Sequence, residues 1–268
     1  AQESPLWMRH CALSPDGTTI AFTYKGDIYT VPSTGGRATQ ITTNPAFDTE
    51  PVWSPDSKQI AFASDRMGSL DVFVVSSEGG APQRLTTHSG SEKPVAYKDN
   101  KHILFTANIA PSAEDAGFPS GQFQQVYEVA VTGGRPAMFS SMPMECISIN
   151  KEGVMLYQDK KGYEDYWRKH QVSPIARDIW TYTPGKKPVY QKQTTFGGED
   201  REPVWSPDGK SFYYLSEEKG SFNIFQRTPG TTTSQQITFH TKHPVRFLSI
   251  STTGTLCYGY DGEIYTLT

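Results

Sequence analysis

Cysteine is scarce in this chain. Three residues, Cys11, Cys146 and Cys257, stand in 268. They allow at most one internal disulfide, which excludes a small disulfide-built scaffold. No apolar run approaches the ~20 residues of a membrane-spanning helix, so no membrane insertion of that kind is expected. Charge of one sign is not in excess either. The formal net charge is -3, so no general attraction to nucleic acid or anionic membrane is implied. Helix-period segments are missing outside one insertion at 158–177. There is no G-x-S-x-G elbow and no H-E-x-x-H pair. What is plentiful is turn and strand material: 23 Gly, 19 Pro and 12% aromatics.

The stretch Glu50 to Thr87, EPVWSPDSKQIAFASDRMGSLDVFVVSSEGGAPQRLTT, organises the rest. Its runs PVW, KQIAFAS, DVFVV and PQRLTT are rich in Val, Ile, Phe and Thr, the strand signature. The breaks SPDS, DRMGS and SEGG are turn chemistry. This predicts one antiparallel four-stranded unit of roughly forty residues, the length of a propeller blade.

The unit recurs. Its third strand reads DIYTV, DVFVV, QVYEV, DIWTY, NIFQR and EIYTL, placing Tyr29, Phe73, Tyr127, Trp180, Phe225 and Tyr265 in one column. Its second strand ends on Phe22, Phe62, Phe105, Tyr157, Tyr214 and Tyr258. A single such sheet cannot bury both faces, whereas stacked sheets can. The expected fold is therefore all-β, a six-bladed β-propeller of four-stranded antiparallel blades. Its third-strand aromatics should enter the cores between blades. It forms a single domain over 1–268, with blades near 1–43, 48–87, 88–142, 144–196, 197–239 and 240–268. Cys257 stands where other copies have Ala21 and Ala61, and reads as a small buried apolar residue.

Copy six stops just after its third strand, so the sixth blade is expected to lack an outer strand in this chain. The chain reads as one part of a longer protein. The opening AQE fits the end left by a signal peptidase, which would make the protein periplasmic or otherwise exported; a trimmed end explains it equally.

Copies three and four carry insertions between strands two and three. The first, 106–124, is Pro/Gly/Ser-rich and polar, hence a loop. The second, QDKKGYEDYWRKHQVSPIAR at 158–177, is dense in charge and aromatics. Loops on rigid scaffolds are where binding usually sits, and Trp beside Arg or Lys can grip peptide or anionic groups. Glu164, Asp165, Trp167, Arg168, Lys169, His170 and Arg177 are therefore the candidate contacts, with Tyr166. They are expected to converge with GGEDR at 197–201. Glu199, Asp200 and Arg201 would form surface pairs with Arg168, Lys169 or Asp165. The competing reading is a hairpin that covers a neighbouring blade. Asp16, Asp56 and Asp208 recur in SPD[GS] and read as turn-formers bonding nearby amides, not as catalysts. His240 and His243 lead into a strand without a second ligand pair, so no metal is expected, and no cofactor.

The repeat [PV]-W-S-P-D-G-K-x-I-A-F…D-[IV]-Y…G-G…L-T resembles that of TolB and tricorn-type proteases. Three further stretches resemble the propeller of bacterial tricorn-like serine peptidases: PLWMRHCALSPDGTTIAFTYKGDIYTVP, GYEDYWRKHQVSPIARDIW and HPVRFLSISTTGTLCYGYDGEIYTL. The resemblance implies a non-catalytic propeller preceding PDZ and catalytic domains, whose nucleophile maps onto no position here. Its partners would be peptides, or the downstream protease domains of the same polypeptide, and a homo-oligomer of the parent protein is the assembly to look for. The implied role is to guide or filter peptides, through a polar channel lined by first strands, or to dock those domains. A TolB-like binding module and a hydrolase with its site in the propeller funnel stay open as alternatives.

Overall fold

A computed structural model describes residues 7–109, 124–162, 167–168, 170 and 172–268. Among them every regular element is a strand. Blade one holds β1 (Arg9–Leu13), β2 (Thr19–Tyr24), β3 (Asp27–Pro32) and β4 (Thr39–Gln40). Blade two holds β5 (Asp48–Trp53), β6 (Gln59–Ser64), β7 (Asp71–Ser76) and β8 (Gln83–Arg84). Blade three holds β9 (Lys93–Asp99), β10 (His102–Ala107), β11 (Gln125–Ala130) and β12 (Ala137–Ser140). Blade four holds β13 (Met144–Ile149), β14 (Met155–Asp159), β15 (Ile179–Thr183) and β16 (Val189–Lys192). Blade five holds β17 (Asp200–Trp205), β18 (Phe212–Ser216), β19 (Asn223–Arg227) and β20 (Ser234–Gln236). Blade six has three strands, β21 (Arg246–Ile250), β22 (Leu256–Tyr260) and β23 (Glu263–Leu267). Each sheet pairs its strands in sequence order, as expected of a six-bladed β-propeller. Packing divides the chain into two compact units: Ala12–Met144, and the described residues on either side of that segment.

The two aromatic columns are direct cross-strand partners in all six blades: Phe22 with Tyr29, Phe62 with Phe73, Phe105 with Tyr127, Tyr157 with Trp180, Tyr214 with Phe225 and Tyr258 with Tyr265. These pairs anchor the cores. Within the first unit, Phe62 and Phe73 pack with Trp53, Ile28 and Ile41 from blade one and its neighbour. Within the second, Tyr214 and Phe225 pack with Leu156, Ile179 and Trp205. The third-strand aromatics do not bury equally: Tyr29 and Trp180 are half-buried. Tyr265 is 37% exposed, whereas Phe73 and Phe225 are buried. No fourth strand lies beside β23 among the described residues to cover it.

The SPD turns build themselves. Ser14, Ser54 and Ser206 each donate a hydroxyl to the Asp two residues on, at 2.6, 2.7 and 2.6 Å. Each Asp then accepts a following amide: Thr18 on Asp16 at 2.9 Å, Lys58 on Asp56 at 3.2 Å and Lys210 on Asp208 at 3.1 Å. These bonds favour the ionised form and hold the three carboxyls below their ordinary range, with the Ser hydroxyl the largest cause. The residue at the turn's end is left-handed, Gly17 and Gly209 at φ 77° and 67°, a conformation that costs glycine nothing.

The first strands share another device. His10, Glu50, Cys146, Glu202 and Phe247 all have φ between 49° and 59°. In β5, β17 and β21 the register slips at this point, which marks a β-bulge that re-aims the neighbouring side chains. Because five blades repeat it, the strained residue belongs to the architecture. Cys257 is fully buried and pairs with Thr266, as Ala21 does with Thr30.

Candidate functional site at the blade-four insertion

The blade-four insertion leaves β14 at Asp159 and re-enters at β15, and its neck is closed by polar bonds. Asp178 N–H donates to Asp159 Oδ1 at 2.8 Å, and Trp180 Nε1 to Asp159 Oδ2 at 2.9 Å. Lys161 Nζ spans the neck, donating to the Ala176 carbonyl at 2.5 Å and to the Asp178 carboxylate. Lys192 reaches the same Asp178 oxygen from β16 at 2.8 Å. Burial nonetheless pushes the Asp159 carboxyl up, against the bonds and the Lys161 charge that favour ionisation.

Below the neck lies a chain of alternating charges. Lys160 Nζ sits 3.2 Å from Glu145 Oε1. Arg177 Nε donates to Glu145 Oε2 at 3.1 Å, and Arg177 Nη1 to Glu199 Oε1 at 3.4 Å. Arg201 Nε closes the chain on Glu199 Oε2 at 2.9 Å. Burial opposes the charge on Glu145, but Arg177, Lys160 and Gln158 outweigh it and hold the carboxyl below its usual range. Burial likewise disfavours the Arg177 cation, and Glu145 and Glu199 more than offset it. Gln158 extends the network: its Nε2 donates to Glu145 at 3.0 Å and its Oε1 accepts Glu202 N–H at 2.9 Å. Glu202, turned inward by its left-handed backbone, accepts Leu248 N–H at 2.8 Å. The first strands of blades four, five and six are thus tied together beneath the insertion.

This corrects the expected surface pairing. Arg177, Glu199, Asp200 and Arg201 are buried, at 5%, 4%, 1% and 2% exposure. The physical reason is register. DREPVW of β17 repeats DTEPVW of β5, so Asp200 takes the fully buried place of Asp48. Glu199 pairs with Arg177 and Arg201. In blade two, Arg66 bridges both Asp48 oxygens at 3.0 and 2.9 Å. Blade five has Glu218 where blade two has Arg66. Burial therefore raises the Asp200 carboxyl from 3.8 to about 7, helped by Asp178 and Glu218 and resisted by bonds from Ser216 and Thr194.

The insertion meets the GGEDR segment at several points. Ser173 N–H donates to Gly197 O at 3.3 Å and Asp200 N–H to Arg177 O at 3.0 Å. A Cβ on Gly198 would stand 2.5 Å from the Phe196 ring, so only glycine lets the chain turn there without a shift. His170 N–H donates to the buried Glu217 carboxylate at 2.6 Å.

The tip of the insertion is open. Trp167 is 50% exposed, Arg168 is exposed, and the His170 side chain is 61% exposed. Two guanidiniums flank Trp167, Arg246 at 4.6 Å and Arg9 at 5.2 Å from the ring centroid. Arg9 also lies 5.6 Å over the exposed Trp7. The result is a wet aromatic–cation surface suited to peptide or carboxylate contact. Glu164, Asp165 and Lys169, with Tyr166, fall outside the described residues. Sequence reasoning missed Glu145, Arg9 and Arg246, because each lies far along the chain from the residue it meets.

Elsewhere, His240 stacks on Tyr260 at 3.8 Å, and burial lowers its basicity. His243 faces Asp261 at 3.3 Å. Among the described residues no group of three or more His, Cys, Asp or Glu is placed to hold a metal ion. No helix among them is long and apolar enough to cross a membrane.

The architecture defines a β-propeller domain of the kind shared by TolB and the tricorn proteins. The description "Tricorn protease N-terminal beta propeller domain" matches residues 5–268, and the chain belongs to that family. Tricorn protease homolog 1 of Streptomyces coelicolor is 24% identical over 260 residues, covering 94% of this chain and 23% of that protein. The crystal structure of the tricorn protease superposes with a TM-score of 0.81 at 17% identity, covering 99% of this chain and 25% of that one. TolB from Acinetobacter baumannii gives a TM-score of 0.66 at 14% identity, over 93% of this chain and 66% of that one. At these identities the two structures show the fold alone. The chain spans about a quarter of the length of the tricorn proteins it matches.

Proposed function

We propose that this chain is the non-catalytic propeller domain of an exported tricorn-like serine peptidase. In it the propeller guides or filters peptides, or docks the domains that carry the catalysis. The observation that carries this reading is family membership over residues 5–268, in a chain covering 23% of a tricorn protease homologue. The blade-four insertion is the contact element. Its base is fixed by the buried Glu145–Arg177–Glu199–Arg201 chain, while Trp167, Arg168 and His170 face solvent. A rigid base under an open, cation-rich tip is the layout of a binding loop on a scaffold.

The test is the double change Arg168→Ala and His170→Ala in the full-length polypeptide. Peptide turnover, or assembly with the catalytic domains, should fall while the melting temperature stays within a few degrees. Unchanged turnover and assembly would reduce the insertion to a cover over its neighbours. Cell fractionation of the native protein checks export separately.

A further inference from the structure

Two of the three cysteines meet inside the fold. Cys11 stands in the middle of β1 and Cys257 near the middle of β22, 4% and 0% exposed. Both belong to the same compact unit. Cys11 Sγ donates to the Phe247 carbonyl on β21 at 3.5 Å, and the His10 and Phe247 rings lie 4.8 Å apart. Residues 10 and 11 thus rest on β21. That strand pairs with β22, where the partner of Cys257 is Ser249, two residues beyond Phe247.

The repeat gives the direction of the Cys257 side chain independently. Ala61 pairs with Val52 as Cys257 pairs with Ser249, and Ala21 holds the same column. Ala21 packs in one core with Trp53 of β5, and Ala61 in one core with Tyr97 of β9. The column therefore faces the next first strand, and for Cys257 that strand is β1. The thiols are neighbours: contact with the Cys257 side chain is the first cause, ahead of burial, that raises the Cys11 thiol well above its ordinary range.

We infer that Cys11 and Cys257 form a disulfide, made by thiol–disulfide exchange with a glutathione-type disulfide in an oxidising compartment. One cysteine thiolate attacks the S–S bond of the oxidant, forms a mixed disulfide and releases one reduced thiol. The second cysteine, deprotonated in its turn, attacks the protein-side sulfur of that mixed disulfide and releases the other. The two protein thiols give up two electrons and two protons, and the oxidant leaves as two thiols. Both sulfurs are buried and little thiolate forms there, so exchange runs before β1 packs rather than in the finished fold. The bond ties Cys11 to β22 and closes a loop of nearly the whole chain. A cross-link restricts the unfolded state more as its loop grows.

The test refolds purified chain 1–268 from denaturant in a mixture of reduced and oxidised glutathione. Remaining thiols are then blocked, and peptides are mapped by mass spectrometry without reductant. The expected result is one cross-linked pair, the peptides of Cys11 and Cys257, with Cys146 outside the bond. The melting temperature should exceed that of chain refolded with reductant by about 5–15 °C. Folded, reduced chain given the same mixture should form the same bond more slowly, and equal rates would overturn the argument from burial. Cys257→Ala copies Ala21 and Ala61, so it should melt within a few degrees of the reduced chain and show no shift on oxidation. The inference is overturned if Cys11 and Cys257 are both blocked as thiols after refolding, or if either is joined to Cys146 instead. It is also overturned if the shift survives Cys257→Ala, or if the linked chain melts no higher than the reduced one, since the bond would then strain the fold.

Discussion

Asp200 gives the sharpest prediction. Its carboxyl is 1% exposed and raised from 3.8 to about 7, chiefly by burial. An acid whose folded value is raised stabilises the fold fully below its unfolded value, here 3.8, and loses that contribution as pH rises through about 7. At about 1.4 kcal/mol per tenfold, a rise of roughly three pH units is worth up to ~4 kcal/mol. Asp200→Asn keeps the shape and removes the ionisation. Denaturant unfolding of both chains between about pH 5 and 8.5 reads the difference directly. Relative to the natural chain, the variant should gain about 2.7 kcal/mol in stability between pH 5 and 8, the two pH units of the rise from 3.8 to about 7 that lie in that window. Glu92, also raised to about 7 mainly by burial, adds the same pH dependence to both proteins and cancels. Parallel curves across the range would show that Asp200 is ionised and compensated in the fold, refuting the argument from the missing arginine.

Two stability predictions follow from packing. Phe73→Ala should cost ~3–5 kcal/mol, because Phe73 is buried, stacks on Phe62 at 5.9 Å and lies under the Arg66 guanidinium at 4.5 Å; an unchanged unfolding midpoint would place the register wrongly. Arg177→Ala should cost ~3–5 kcal/mol, since it removes a cation only 6% exposed that Glu145 and Glu199 share, leaving Glu199 only Arg201 and Glu145 only Lys160 and Gln158. A loss under about 1 kcal/mol would mean that water reaches the pair.

The fold was legible because it repeats. Each column of aromatics needed only its own copies to be seen, and the cross-strand pairing of Phe62 with Phe73 or Tyr258 with Tyr265 follows from that spacing. The insertion was legible as an excursion, and Trp167 and His170 as exposed candidates. The charge chain was not. Its links join Glu145 to Arg177 within blade four and Arg177 to Glu199 at the edge of blade five, 32 and 22 positions apart, and pairing of that range leaves no local pattern. The burial of Asp200 was within reach, since DREPVW copies DTEPVW. The adjacent glycines of GGEDR mask it, because they read as a surface turn and draw its charges outward with it. Arg9 and Arg246 around Trp167 had no signal at all, because their meeting depends on which first strands lie under the insertion.

The central claim is that this domain binds and the chemistry lies elsewhere. The most direct measurement is hydrolysis of fluorogenic peptides by purified chain 1–268, alongside labelling with a serine-directed phosphonate. The account predicts no turnover above buffer and no labelled residue. Turnover that the reagent abolishes, with the label on a serine of this chain, would contradict it.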